Sequence, residues 1–141
     1  MLFRSEIAID DVVLTSENCV KLLGIQIDSK LNFKDHVKSL CNKAGKQLNV
    51  LCRLSKFLSF TSRLAIYKSF IMSNFYYCML VWCFTCKQNI QMIESIQKRA
   101  LRFVYNDFSS DYESLLCKAN AINIPILLLR YTAIETYKNI H

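Results

Sequence analysis

The chain has 141 residues, with 18 basic side chains against 11 acidic ones for a formal charge of +7. With 52% hydrophobic and 21% charged residues it is too apolar for a disordered tail, and its length bounds it to one domain or part of one. Two glycines and one proline supply too few turn signals for a sandwich or barrel, so a mainly α fold is expected.

The opening alternates apolar and polar residues. Ile7 and Ile9 precede Asp10-Asp11, and Val12, Val13 and Leu14 follow, which predicts a β-hairpin turned at the two aspartates. The run from Lys21 to Asp28 is rich in β-formers and is stopped by Asp28-Ser29, so it reads as a third strand. Three short strands make a poor independent sheet, and a further covering layer is expected in front of them.

From Asn32 onward the period becomes helical. Val37, Leu40, Cys41, Ala44, Leu48, Leu51 and Cys52 recur at steps of three and four, and Lys38, Lys43, Lys46, Arg53 and Lys56 fall on the sides and back of the same helix. Gly45 inside it costs about 1 kcal/mol relative to alanine and reads as a weak point, not as a close approach by another chain. Ser59 or Thr61 can cap a second helix whose buried stripe is Leu64, Tyr67, Ile71, Phe75, Cys78 and Trp82. Phe70, Tyr77 and Val81 lie on its other faces, which predicts a helix surrounded by protein. A third helix, about Asn89 to Tyr105, buries Ile93, Ile96, Ala100, Phe103 and Val104 and turns Glu94, Lys98, Arg99 and Arg102 outward. Asp111 caps a short fourth helix ending near Asn120, and Pro125 is placed as the first residue of a fifth. The expected architecture is therefore mainly α, a bundle of about five helices preceded by a short β-hairpin or strand segment, with no linker dividing it.

Seven cysteines form an odd set and no secretory signal opens the chain, so an intracellular, reducing setting is expected. The most apolar run, Phe75 to Phe84, is ten residues against the 20 or so of a membrane-spanning helix. It is read as a buried core helix.

Little in the sequence builds an active site. Cys83 and Cys86 make a single CxxC, whereas a structural zinc site takes four ligands. Cys78, Cys41 and His36 are conceivable partners, but cysteines at helical spacing among aromatic residues are read as small apolar core residues, and no metal is expected. Asp10 and Asp11, as neighbours on a strand, point to opposite faces and are read as a turn. His36 has no identifiable nucleophile and orienting carboxylate around it, and no glycine-rich phosphate loop is present. No cofactor, catalytic residue or small-molecule substrate is expected.

Charge is the feature left unexplained. Residues 1–29 carry a net −3, residues 69–141 a net +2, and residues 30–68 hold nine basic residues against Asp35 alone, a net +8. Such a concentration implies an anionic partner. Nucleic acid fits better than a membrane surface, because the apolar face of the first helix is needed to cover the second. The competing explanation is a solubilising lysine face on a helical protein-interaction module.

Several strings resemble a known family once the elements are in order. Val20-Lys21-Leu22-Leu23-Gly24-Ile25-Gln26-Ile27-Asp28 followed by Leu31-Asn32-Phe33-Lys34-Asp35-His36-Val37 resembles the passage that follows the catalytic palm in reverse transcriptases of non-LTR retrotransposons. Tyr77-Cys78 to Trp82, Ile93-Glu94-Ser95-Ile96-Gln97-Lys98-Arg99-Ala100-Leu101-Arg102-Phe103 and Tyr112-Glu113-Ser114-Leu115-Leu116 are similar to that family's next three segments. The resemblance implies the C-terminal part of an RNA-directed DNA polymerase. Residues 1–28 would be a remnant of the last palm hairpin, and residues 29–141 the helical thumb with its following helices, as one unit. It also implies that the family's Y/F-x-D-D turn, which holds two metal ions, lies upstream of the matching strings, so that this chain is no enzyme by itself. A thumb would grip a template–primer duplex independently of its sequence. Lys34, Lys38, Lys46, Arg53 and Lys56 are the expected phosphate contacts, the missing palm and fingers are expected partners, and a nuclear location is consistent with the resemblance.

Overall fold

The computed structural model describes residues 17–82 and 85–140, together with the backbone of residues 8–9 and 12–13. It is mainly α with short antiparallel strands at the N-terminal end, as the period change at Asn32 indicates. Strand β1 (Ala8–Ile9) pairs with β2 (Val12–Val13); Asp10 and Asp11, expected at the turn, lie outside the described residues.

The single strand expected over Lys21 to Asp28 is instead a hairpin. Strand β3 (Cys19–Leu22) pairs with β4 (Ile25–Asp28), with Leu22 opposite Ile25 and Cys19 opposite Asp28. Leu23 and Gly24 both have positive φ, 48° and 86°. A two-residue turn with both centres left-handed matches the twist of the flanking strands, and glycine takes that conformation without strain. The Tyr77 hydroxyl, 54 residues away, donates to the Leu23 carbonyl at 2.8 Å and holds the turn from outside.

Asp28 then aims the chain into the first helix. Its carboxylate accepts backbone N–H bonds from Lys30, Asn32 and Phe33 at 3.0, 3.1 and 2.7 Å. These bonds hold a loop with Leu31 and Phe33 both left-handed, and they keep the Asp28 carboxyl below its usual range. Helix α1 (Lys34–Leu54) buries His36, Val37, Cys41, Ala44, Leu48 and Leu51. Leu40 and Cys52, expected on the same stripe, are half-buried. A Cβ added at Gly45 meets nothing within 4 Å, so no packing within the described residues requires a glycine there.

The second helix departs most from expectation. Ser59 does cap it, accepting the Ser62 N–H at 3.2 Å. Helix α2 (Phe60–Ile66) then widens into a π-helical segment (Tyr67–Met72), continues as α3 (Ser73–Tyr76), breaks at Tyr77-Cys78 and resumes as α4 (Met79–Trp82). Cys78 adopts φ 47° and is exposed, so Met79 takes the place in the core expected for it. The fully buried Trp82 donates its indole N–H to the Tyr77 carbonyl at 3.2 Å, which satisfies a group freed by the break. Phe70, Tyr77 and Val81, expected to be covered, are exposed.

Helix α5 (Lys87–Tyr105) packs most extensively against α1 and ends on a left-handed Asn106. Of its expected stripe, Ile93, Ala100 and Val104 are buried, while Ile96 and Phe103 are half-buried. Helix α6 (Tyr112–Ala119) starts at Asp111, whose side chain accepts the Ser114 N–H at 3.2 Å. Helix α7 (Ile124–Ile140) begins one residue before Pro125, with Asn123 accepting the Ile126 N–H at 3.0 Å. Pro125 still sits in the first turn, where a missing N–H breaks no helical bond. Among the described residues no helix is long and apolar enough to cross a membrane.

One buried polar cluster locks these helices in register. The Tyr112 hydroxyl donates to Gln97 Oε1 at 2.6 Å, and Gln97 Nε2 donates to the Tyr67 hydroxyl at 3.2 Å and to the Ile122 carbonyl at 3.4 Å. Burial pushes the Tyr67 hydroxyl up to about 12 and raises Tyr112 as well. Both phenols stay protonated and keep their donors.

Candidate nucleic-acid interface

Helix α1 places Lys34, Lys38, Lys46 and Arg53 in solvent. At about 100° per residue, Lys38, Lys46 and Arg53 lie within roughly 80° of one another, turned away from the side that buries Val37, Ala44 and Leu48. Lys34 sits between that arc and the buried stripe. Lys56, expected on the helix, lies beyond its end. The helix stops at Leu54, the Ser55 hydroxyl donates back to the Cys52 carbonyl at 2.9 Å, and Lys56 is carried in the turn that follows. The five cations thus extend from the start of α1 to the turn after it.

Among the described residues none of the five takes part in an ion pair; the pairs present are Lys118–Asp107 and Lys138–Glu135. Exposed cations without an internal partner keep their full hydration and remain available to an external anion. Arg53 and Lys56 also stand at the C-terminal end of α1, where positive charge is stabilised by the helix dipole.

The tertiary structure adds one cation that periodicity does not assign to this face. Arg99 on α5 acts electrostatically on the Cys52 thiol, so the packing of α5 on α1 brings it beside the end of the basic tract. Its outward position is legible in the sequence, but its neighbour is not. Arg63 is diverted instead: its guanidinium Nη1 donates to the Phe103 carbonyl at 3.1 Å.

A cavity of about 530 Å³ opens between the β3–β4 turn, α1 and α3. Lys21 and Lys43 line it, and no carboxylate does among the described residues. His36 at its edge is buried. Its Nδ1 accepts the Gln26 N–H at 3.4 Å, which puts the proton on Nε2, and Nε2 has no partner among the described residues. Burial lowers the imidazole pKa, so His36 is a neutral residue joining β4 to α1. Among the described residues no three His, Cys, Asp or Glu side chains are grouped to hold a metal ion, and Cys83 lies outside them. Cys41 is buried with its thiol pushed up to about 11, as a small apolar core residue. Cys86 is exposed at the start of α5.

Comparison with known proteins relates the chain to the reverse transcriptases of retrotransposons. It is 31% identical over 100 residues to a probable RNA-directed DNA polymerase from transposon X-element of Drosophila melanogaster, a match covering 68% of this chain and 11% of the relative. It is 27% identical over 101 residues to a probable RNA-directed DNA polymerase from transposon BS of the same organism, covering 70% of this chain and 11% of that relative. The chain is thus related to the reverse transcriptases of retrotransposons, and the match spans about a tenth of the length of these curated relatives. No family model matches the chain. No solved structure matches it.

Proposed function

We propose that the chain is the thumb region of a retrotransposon reverse transcriptase, holding a template–primer duplex through Lys34, Lys38, Lys46, Arg53 and Lys56. The observation that carries this reading is the α1 face itself: exposed cations, unpaired among the described residues, on a helix whose opposite side is locked into the core. Residues 1–28 correspond in this reading to the end of a palm hairpin, and residues 29–141 to one helical unit. The chain alone performs no polymerisation and works in a reducing, intracellular setting beside the palm and fingers of a longer enzyme.

Lysine and arginine on one helix flank reach phosphate oxygens without contacting base edges, so the grip is independent of base sequence. Neutralising phosphates releases condensed counterions, which makes affinity fall steeply with salt. The test is a salt titration of binding to a duplex of arbitrary sequence. A steep linear fall of log affinity with log salt is expected; undetectable binding at low salt refutes the reading.

A second reading, a protein-interaction module with a solubilising lysine face, is favoured by α7. The first turns of that helix, residues 124–129, are apolar on every side, yet only Ile124, Leu127 and Leu128 are buried, while Ile126 and Leu129 stand in solvent, as does Ile140 at its far end. In this reading α7 docks on protein. Its association would then be insensitive to salt.

A further inference from the structure

The turn after α1 displays an aromatic ring that the phosphate grip does not use. Phe57 is 85% exposed, the most exposed of the large apolar side chains described. Its backbone N–H donates to the Leu54 carbonyl at 2.9 Å, and the next residue, Leu58, packs against the core, so the turn holds the Phe57 ring outward. Of the other exposed phenylalanines, Phe60 pairs with Tyr105 at 5.3 Å and Phe108 with Phe103 at 5.0 Å, while Phe70 in the π-helical segment has no ring pair among the described residues. Phe57 is in no ring pair among the described residues. Exposed Val50 and Leu54 continue its apolar surface back along α1, beside Lys46, Arg53 and Lys56.

We propose that Phe57 stacks on an unpaired nucleobase while Arg53 and Lys56 hold the phosphates beside it, so that this end of α1 takes single-stranded nucleic acid. The inference rests on the nucleic-acid reading above and goes beyond it, since a phosphate grip needs no aromatic ring. Two features favour a nucleobase over a protein partner. The centre of a protein interface is depleted of charge, whereas here each apolar side chain has a cation next to it. The tract from residue 30 to 68 has a single acidic residue, Asp35, and it lies at the opposite end of α1. Single-stranded nucleic acid offers phosphates and flat faces in alternation, the pattern that cationic grooves with stacking aromatics recognise.

The experiment compares the full chain with Phe57→Ala and Phe57→Trp variants on two probes of equal phosphate count, a single-stranded oligonucleotide carrying a fluorescent adenine analogue and a blunt duplex. Phe57→Ala is expected to weaken single-strand binding about 5- to 20-fold, at the lower end of what one stacked base is worth. Duplex affinity, salt slope and helical content should not change. Phe57→Trp should retain the affinity, and its indole emission should be quenched by the single strand. Equal binding of both probes by wild type and Phe57→Ala overturns the stacking proposal and leaves the phosphate grip standing. A loss of equal size on both probes also overturns it, because a stacked base is available only on one. If Phe57→Ala abolishes self-association seen by light scattering without affecting either probe, the ring serves a protein contact and the proposal fails. Absence of salt-dependent binding by the wild type removes the grip and this inference together.

Discussion

Replacing Lys38, Lys46, Arg53 and Lys56 with glutamine in one variant isolates the charge of the α1 face from its fold. All four are exposed and none is ion-paired among the described residues, so the change removes charge without opening the core. Exposed substitutions of this kind stay within about 0.5 kcal/mol each. At about 1.5 Å of rise per residue, Lys38 to Arg53 covers roughly 22 Å of helix axis. A duplex carries one phosphate charge per about 1.7 Å over both strands, so there is room for each cation to meet a separate phosphate. Each contact contributes about 0.7 to 0.9 to the magnitude of the slope of log affinity against log salt. Four or five contacts, counting Lys34, give a slope of about −3 to −4.5 for the wild type, and Lys34 alone leaves about −1 for the variant. Fluorescence anisotropy of a labelled duplex across a salt series reads both slopes. An unchanged slope and affinity in the quadruple variant, with circular dichroism confirming intact helix, would refute the assignment and leave the lysines as a solvated face.

Gly45→Ala should stabilise the chain by about 0.5 to 1 kcal/mol, read as a raised melting temperature, because the helix gains propensity and the new methyl group has free space. His36 is depressed by burial, so its contribution to stability is present above its unfolded value of 6.5 and is lost as pH falls from there toward the folded value. The melting temperature should accordingly drop as pH is lowered through 6.5. His36→Gln should flatten that dependence, and an equally steep profile in the variant would show that another group titrates. Cys41 should resist alkylation in the native chain while Cys19 and Cys117 react, with mass spectrometry of labelled peptides deciding the order. Purified chain should give no template-dependent primer extension with any divalent metal. Incorporation above a no-protein control would overturn the reading of a thumb without chemistry of its own.

What could be read from the sequence was what depends on local pattern. The α1 stripe, the Ser59 and Asp111 caps and the ends of α5 and α6 all follow from periods and side chains within a few residues. The misreadings share a cause: each turns on a hydrogen bond or a helix end that residue periodicity does not encode. Leu23-Gly24 lacks the Asn-Gly or Asp-Gly signature of a two-residue turn, and the hydroxyl that holds it belongs to Tyr77. The stripe through Cys78 is correct for an unbroken helix, but the break is supported by the Trp82 indole, which a period cannot reveal. Periodicity alone says nothing of Gln97, a single polar residue on an amphipathic helix. Its burial makes sense only when Tyr67, Tyr112 and the Ile122 carbonyl converge on it. Among the basic residues, periodicity set the exposure of Lys34, Lys38, Lys46 and Arg53, but not the end of the helix before Lys56 or the arrival of Arg99.

The residues that carry the family resemblance and those assigned to binding are largely different sets, and the structure explains the division. Gly24 forms the hairpin turn, Asp28 holds the loop into α1, His36 ties α1 to β4, Tyr77 clamps the turn and Gln97 joins three helices. Each works through specific hydrogen bonds or one backbone conformation, so its identity and spacing are constrained and leave a readable string. A phosphate grip asks less. It needs positive charge on a surface that the scaffold keeps rigid and outward, and lysine or arginine at several phases of α1 will serve. The recognisable strings therefore specify how α1 is mounted, while the proposed interface depends only on which residues that mounting leaves in solvent. Phe57 belongs to the second set: its ring is exposed because Leu54 and Leu58 fix the turn around it.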